Sequence, residues 1–305
     1  MSTHYYRFTR LGAVHRERAP LLEGLLARAH QPREIADWRA DALRLVAPEA
    51  AAIPSVAAAA LFAEQGPLQG ASVFIAAAVH YIAEMSTVRL PADGILHLGR
   101  SDADALAADF NRVWEDAGVR LLAGRFTDLY CVFDQALNAA THDPEDVRDR
   151  QIDGYLPIGS GSPRLRRLMS EVEMWLFEHP VNRNRTAHSA VAVNGLWLWG
   201  GGPPAASLPV VDAWSVGDDP LFKALAGGAE LPRTAASGVV VVAAELGTAE
   251  WRELESRCLR GSLADLRSGR IDRLDLSAGH LRFSLRGRWN WRPWRRRRPW
   301  WECFG

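Results

Sequence analysis

The sequence predicts an α/β fold: a mixed or mostly parallel sheet flanked by helices. Three observations predict it. Short apolar runs of strand length alternate with segments whose apolar residues recur every three and four positions. The 305 residues are 48% hydrophobic and 24% charged, the balance of a chain that buries a core, which excludes disordered, collagenous and coiled-coil classes. No apolar run reaches the roughly 20 residues that a membrane span needs.

Taken in order, Pro20 opens a helix over 21–29, the spacing over 35–46 predicts a second, and Ser55 is placed to cap a third over 56–64. The apolar run 73–82 and the segments 87–90 and 95–98, the last two separated by Asp93-Gly94, predict strands with a tight turn. Helical spacing resumes over 101–117 and stops at Gly118, before strands at 119–122 and 129–133. The polar stretch 134–161 predicts an exposed loop and a soft division between two lobes of one domain spanning 1–286. Beyond it the pattern predicts a helix over 163–178 and strands at 193–199 and 210–214. A short helix over 220–226, a buried strand at 239–244, a helix over 249–259 and a closing strand pair at 271–276 and 281–285 follow. Asp218-Asp219-Pro220 is a ready cap for the short helix.

Cys131, Cys258 and Cys303 are odd in number, far apart and in no C-x-x-C pair, which argues against a disulfide framework or zinc knuckle and fits a reducing cytoplasm. Residues 1–11 lack the apolar core of an export signal, and the alanine-rich run 56–62 is far too short to span a bilayer. A cytoplasmic protein without a membrane span is therefore expected. Lys+Arg and Asp+Glu are both 36, yet residues 281–301 hold eight arginines and no acid, leaving 28 basic against 36 acidic residues elsewhere. The tail 287–305 interleaves Arg292, Arg295, Arg296, Arg297 and Arg298 with Trp294 and two prolines. Such a mixture seeks phosphates and stacks on bases, so nucleic acid is one partner for it; arginines lying against the acidic body is the other reading.

The most distinctive stretch runs Glu171-Val172-Glu173-Met174 to His179-Pro180-Val181-Asn182-Arg183-Asn184-Arg185, then Val193-Asn194-Gly195-Leu196-Trp197-Leu198-Trp199 and three glycines. It resembles a signature of the bacterial RpfE-type regulatory proteins. The same H-P-x-N-x-x-R … N … G-x-G skeleton resembles one in archaeal-type cofactor-independent phosphoglycerate mutases of the alkaline phosphatase superfamily. The resemblance is strongest over 155–230 and extends weakly to Ala78-Val79-His80-Tyr81, where the family more often has Asp-Pro-Val-His-Leu. It implies a reduced phosphoglycerate-mutase-like fold. It also implies, for an active mutase, two divalent metals held by aspartates and histidines with a hydroxyl nucleophile beside them.

Physically, the helix before Pro180 has Leu165, Leu168, Met169, Val172, Trp175 and Leu176 on one face to bury, and His179 at its C-terminal end can answer orphan carbonyls, favoured when protonated. Arg185 can pair with Glu178 or clasp a carboxylate or phosphate, and a buried Asn194 must find partners. Two readings stand: His179, Asn182, Arg185 and Asn194 form a hydrogen-bonded corner, or they line an anion pocket floored by Trp197 and Trp199. Arg166 and Arg167, in the first turns of a helix whose dipole disfavours them, join the second reading as anion contacts or the first as a solvated face. No metal-ligand set can be assembled from the sequence: His4, His15 and His30 have no aspartates at suggestive spacing, and His280, which precedes a strand, reads as a surface or core histidine. The expectation is therefore a non-catalytic, RpfE-like regulatory protein without metal or cofactor, binding a small phosphorylated ligand or a protein partner. A phosphoglycerate-mutase-like phosphotransfer enzyme and a nucleic-acid-associated regulator are the alternatives.

Overall fold

The structure is a computed structural model describing residues 1–9, 18–50, 53–230, 232–233, 236–243, 253, 255–287 and 297–304. The chain forms two units, Met1–Ala51 with Pro209–Gly305, and Ala52–Leu208 between them in sequence. Residues 134–161, expected to mark a division, lie inside the second unit, where Arg150 and Gln151 pair with Leu90 and Arg89 and Ala140 bridges Ile158.

The first unit begins with β1 (Thr3–Thr9), α1 (Pro20–Arg28), β2 (Arg33–Glu34) and α2 (Trp38–Val46). Asp37 caps α2 by accepting from the Arg39 and Ala40 amides at 2.8 and 3.2 Å. β1 was not anticipated, since the N-terminal third reads as helical. Its sequence His-Tyr-Tyr-Arg-Phe is buried on both faces, as a central parallel strand is, and so lacks the apolar-polar alternation that betrays a half-exposed one.

The second unit comprises α3 (Val56–Gln65), β3 (Ser72–Val79), β4 (Ile82–Ala83), β5 (Val88–Leu90), α4 (Arg100–Val113), β6 (Val119–Ala123) and β7 (Leu129–Phe133). It continues through α5 (Pro144–Val147), β8 (Arg150–Gln151), a 3-10 turn at Asp153–Tyr155, α6 (Ser162–Phe177), α7 (Pro180–Ala187) and β9 (Gly195–Gly202). Its main sheet is antiparallel, in the order β6-β7-β3-β9, with β4-β5-β8 as a small separate sheet. Residues 95–98, expected as a strand, contribute only an isolated bridge between Val79 and Ile95. Ser55 caps α3 at the Ala58 amide, as expected. β9 packs closely on β3: a Cβ on Gly201 would stand 2.0 Å from the Phe74 ring, so no larger residue fits without movement.

Returning to the first unit, the chain forms β10 (Trp214–Val216), α8 (Pro220–Leu225), β11 (Gly227–Gly228), β12 (Gly238–Ala243) and a π turn at Glu255–Leu259 leading into α9 (Arg260–Ser268). Next come β13 (Arg273–Ala278), β14 (Leu281–Arg286) and α10 (Trp300–Phe304). The sheet order is β11-β10-β12-β1-β13-β14-β2; the first five strands are parallel neighbours, and β14 and β2 add antiparallel pairings. The fold class is thus the mixed α/β one that the sequence predicts. Asp219 caps α8 through the Leu221 and Phe222 amides, again as expected. One face of the sheet sends Tyr6, Phe8, Leu274 and Leu276 into an apolar core with α1 and α9. α10 adds Trp300, 6% exposed, and Phe304, whose ring lies 5.3 Å from Phe283. Among the described residues, no helix is long and apolar enough to cross a membrane.

Candidate functional site

In the second unit the structure brings the motif residues together at the junction of α6, α7 and β9. His179 follows the C-cap of α6, as the sequence leads one to expect, and its amide donates to the Leu176 carbonyl at 3.1 Å, but its side chain does not answer the last carbonyls of that helix. Instead it caps the N-terminus of α7, a helix that periodicity alone did not reveal, with Nδ1 accepting from the Val181 amide at 3.2 Å. An accepting Nδ1 places the proton on Nε2, which lies 3.2 Å from Asp109 Oδ2. Burial lowers the His179 pKa; Asp109 opposes that effect and Arg183 adds to it.

Asn182 sits inside α7 rather than in a turn, and its side chain joins three strands of backbone. Nδ2 donates to the carbonyls of Leu176 at 2.8 Å and Val193 at 2.7 Å, and Oδ1 accepts from the Val193 amide at 2.8 Å. Asn194 does the same at the end of β3, accepting from the Tyr81 amide at 2.7 Å and donating to the Tyr81 carbonyl at 2.8 Å. Arg185 pairs with Asp102 of α4 at 3.0 Å, not with Glu178, and donates to the Val191 carbonyl at 2.9 Å. Trp197 and Trp199 are 1% and 7% exposed in the core, and Trp197 Nε1 donates to the His142 carbonyl at 2.7 Å. Around the start of α6, Arg164 donates to the Ala117 carbonyl and Arg166 to the Pro157 carbonyl, while exposed Arg167 pairs with Glu171 at 2.7 Å. The polar groups of this corner are thus engaged with the fold itself. His80 stands at the same end of β3, its Nδ1 2.8 Å from the Ala192 carbonyl. Asp128, whose carboxyl burial pushes up, takes the Leu98 amide and feels His97 and Arg185 as countercharges.

A second polar assembly, in the first unit, was missed by sequence reasoning. Asp275, fully buried on β13, accepts from Arg273 Nη2 at 3.0 Å and from Ser284 Oγ at 2.5 Å. Arg282 of β14 holds both oxygens of Asp41 at 2.6 and 2.5 Å, and the Tyr5 hydroxyl reaches the same carboxylate at 3.5 Å. Arg7, 5% exposed, donates to the Gly279 carbonyl and stands 5.1 Å over the Trp38 ring. Burial pushes the Asp275 carboxyl up, against the pull of Arg273, Ser284 and Arg282. The signal was present as alternation: Arg273, Asp275 and Ser277 share one face of β13, as Arg282 and Ser284 do on β14. Polar alternation normally marks the solvent face of a sheet, and here it marks a buried one.

Of the tail, Arg292, Trp294, Arg295 and Arg296 lie outside the described residues; Arg297 and Arg298 are exposed. For the two divalent metals that the resemblance implies, the described residues do not fit: among them no three of His, Cys, Asp or Glu converge as a ligand group. His4, for instance, spends its ring nitrogens on Ser262 and the carbonyls of Arg233 and Ala236. No chemical step is therefore derived through a metal.

Comparison with known proteins supplies what this geometry does not. A 2,3-bisphosphoglycerate-independent phosphoglycerate mutase from Methanothrix thermoacetophila is 28% identical over 151 residues, 48% of this chain and 38% of that protein. A probable enzyme of the same name from Geobacter sulfurreducens is 39% identical over 59 residues, 19% of this chain and 15% of that protein. The matches thus span well under half of either relative's length. No family model matches. Among solved structures, the cofactor-independent phosphoglycerate mutase from Thermoplasma acidophilum covers 94% of this chain and 90% of its own at 12% identity and a TM-score of 0.37. The PH0037 protein from Pyrococcus horikoshii covers 94% and 87% at 9% identity and a TM-score of 0.42. The chain is distantly similar to cofactor-independent phosphoglycerate mutases. This overturns the expectation of a non-catalytic regulator, because the sequence relatives carry the name of an enzyme.

Proposed function

We propose that this chain is a phosphoglycerate-mutase-like phosphotransfer enzyme acting on a small phosphorylated hydroxy acid. The observation that carries this reading is the 28% identity over 151 residues to a phosphoglycerate mutase. The parallel strands β10, β12, β1 and β13 share one carboxyl edge, the side of an open α/β sheet where ligands bind. Thr9, Asp218, Asp219 and His280 are the described polar residues at or just beyond those strand ends. The corner of His179, Asn182, Arg185 and Asn194 acts in this reading as a positioning frame: its hydrogen bonds fix where α7 and β9 start, and Arg185 ties α7 to α4.

The likeness to RpfE-type proteins adds a finer family assignment to the same proposal. Three free cysteines, Cys131 and Cys258 buried, support a reducing, cytoplasmic setting. The experiment is a 31P NMR time course of the purified chain with 3-phosphoglycerate, with and without added divalent cations. Growth of a 2-phosphoglycerate resonance is expected, slowed by Arg185→Ala. A folded protein that leaves the spectrum unchanged under every cation condition overturns the reading.

A further inference from the structure

Three contacts fix the position of α10 (Trp300–Phe304) in the first unit. The Phe304 ring lies 6.1 Å from Phe8, the last residue but one of β1, and 5.3 Å from Phe283 of β14. Its carbonyl stands 3.9 Å from where a Cβ on Gly279, in the turn after β13, would be. β1 and β13 run parallel and both end here, so α10 lies along the carboxyl edge of the sheet, on the face that α1 covers.

Its attachment is slight for an element in that place. Trp300 is buried, whereas Trp301, Cys303 and Phe304 are half-buried and Glu302 is exposed. A five-residue helix has no stability of its own, so α10 is held by what it touches: two aromatic anchors and one polar one. The polar anchor is Glu23, in the first turn of α1 and 1% exposed. Its carboxylate accepts from Arg18 Nε and Nη2 at 2.7 Å each and from the backbone amides of Ala19 and Trp300. Glu23 thus joins the start of α1 to the start of α10, with an exposed arginine behind it. The sequence also supplies slack. β14 leaves the edge at Leu281 and is six residues, about 20 Å, long. Twelve residues lie between Gly287 and Trp300, a length that reaches about 40 Å when extended. α10 can therefore move off the edge while β14 stays in the sheet.

We propose that α10 is a releasable strap: latched by Glu23, it closes the α1 side of the carboxyl edge, and it lifts without unfolding the unit beneath it. Elements with few buried contacts open at a lower free energy than the core does, and ligands of open α/β sheets approach from the carboxyl edge. The strap is a property of the first unit and stands if the phosphotransfer reading fails.

Cys303 makes the strap its own reporter, since it is half-buried in α10 while Cys131 and Cys258 are buried in the two cores. The test is labelling of the full chain with iodoacetamide over time, read at each cysteine by mass spectrometry, with hydrogen exchange of the segment from Gly279 to Phe283 alongside. Cys303 is expected to react at least tenfold faster than Cys258, which follows opening of the core. Glu23→Gln keeps the side chain's shape but turns an amide N–H toward donors, and should speed Cys303 about tenfold with Cys258 unchanged. Arg18→Gln, at an exposed residue, should do so by a smaller factor. Exchange from Gly279 to Phe283 should rise in both variants. Cys303 reacting no faster than Cys258, a Cys303 rate unmoved by both variants, equal acceleration of Cys258, or faster labelling with unchanged exchange at the turn overturns the proposal.

Discussion

Replacing Asn182 by alanine tests the motif corner at its centre. The side chain is 9% exposed and makes three hydrogen bonds of 2.7–2.8 Å, two of them to the amide and carbonyl of Val193, itself fully buried. Each bond is worth about 1 kcal/mol net, and a buried amide left without an acceptor costs a further 1–3 kcal/mol. The Leu176 carbonyl still takes the His179 amide at 3.1 Å, so it is not orphaned. The total comes to about 4 kcal/mol with the Val193 amide partly rescued by relaxation, a fall of roughly 8–16 °C in the melting of a unit of this size. Urea unfolding gives the energy, and hydrogen exchange at the Val193 amide gives the location. A melting shift under about 2 °C with Val193 protection intact would refute the reasoning. Asn182→Asp sharpens the test, because a carboxylate cannot donate to two carbonyls. Its loss should be at least as large at neutral pH and should ease below about pH 4, as the carboxyl gains a proton.

Three more predictions follow from other parts of the fold. Asp275→Ala leaves Arg273 without its carboxylate in a dry interior, while Arg282 keeps Asp41, and should destabilise the first unit by about 3–5 kcal/mol, measured by denaturant titration; a loss below 1 kcal/mol would show the pair to be incidental. Gly201→Ala forces a methyl group into the Phe74 ring and should cost about 1–3 kcal/mol, a cost that Phe74→Leu in the same chain should partly relieve. For His179 the sign runs from a lowered folded pKa: the neutral imidazole contributes stability above its unfolded value of 6.5, and this is lost as pH falls from there through the folded pKa. Imidazole NMR should show that pKa falling further in Asp109→Asn, and an upward move would contradict the assigned role of Asp109.

The elements most legible in the sequence were those with a local signature. Ser55, Asp219 and the helix face of Leu165, Leu168, Met169, Val172 and Leu176 appear as the residues imply. β1 escaped because parallel strands are assembled by partners more than 200 residues away, and their burial on both faces erases the period-2 pattern. The helix expected over 249–259 lies partly outside the described residues, and α9 runs beyond its expected end to Ser268, where Gly269, left-handed with φ 75°, stops it. In the candidate site, the motif residues were identified as a group and as a hydrogen-bonded corner, but not their partners. Asp102 and Asp109 come from α4, some 70–80 residues earlier, and nothing in local spacing announces them. The charged network of Arg273, Asp275 and Arg282 was hidden for the opposite reason, since its alternation imitates an ordinary solvent face.

The central claim, that the chain moves a phosphoryl group between hydroxyls of one small acid, is tested most directly by a single turnover. Protein in molar excess over 3-phosphoglycerate is quenched over a time series and the phosphoglycerates are separated by chromatography. Conversion of substrate into 2-phosphoglycerate up to a stable ratio, reached from either isomer, is the predicted result. Quantitative recovery of whichever isomer was added, at every time and with each divalent cation supplied, would contradict it.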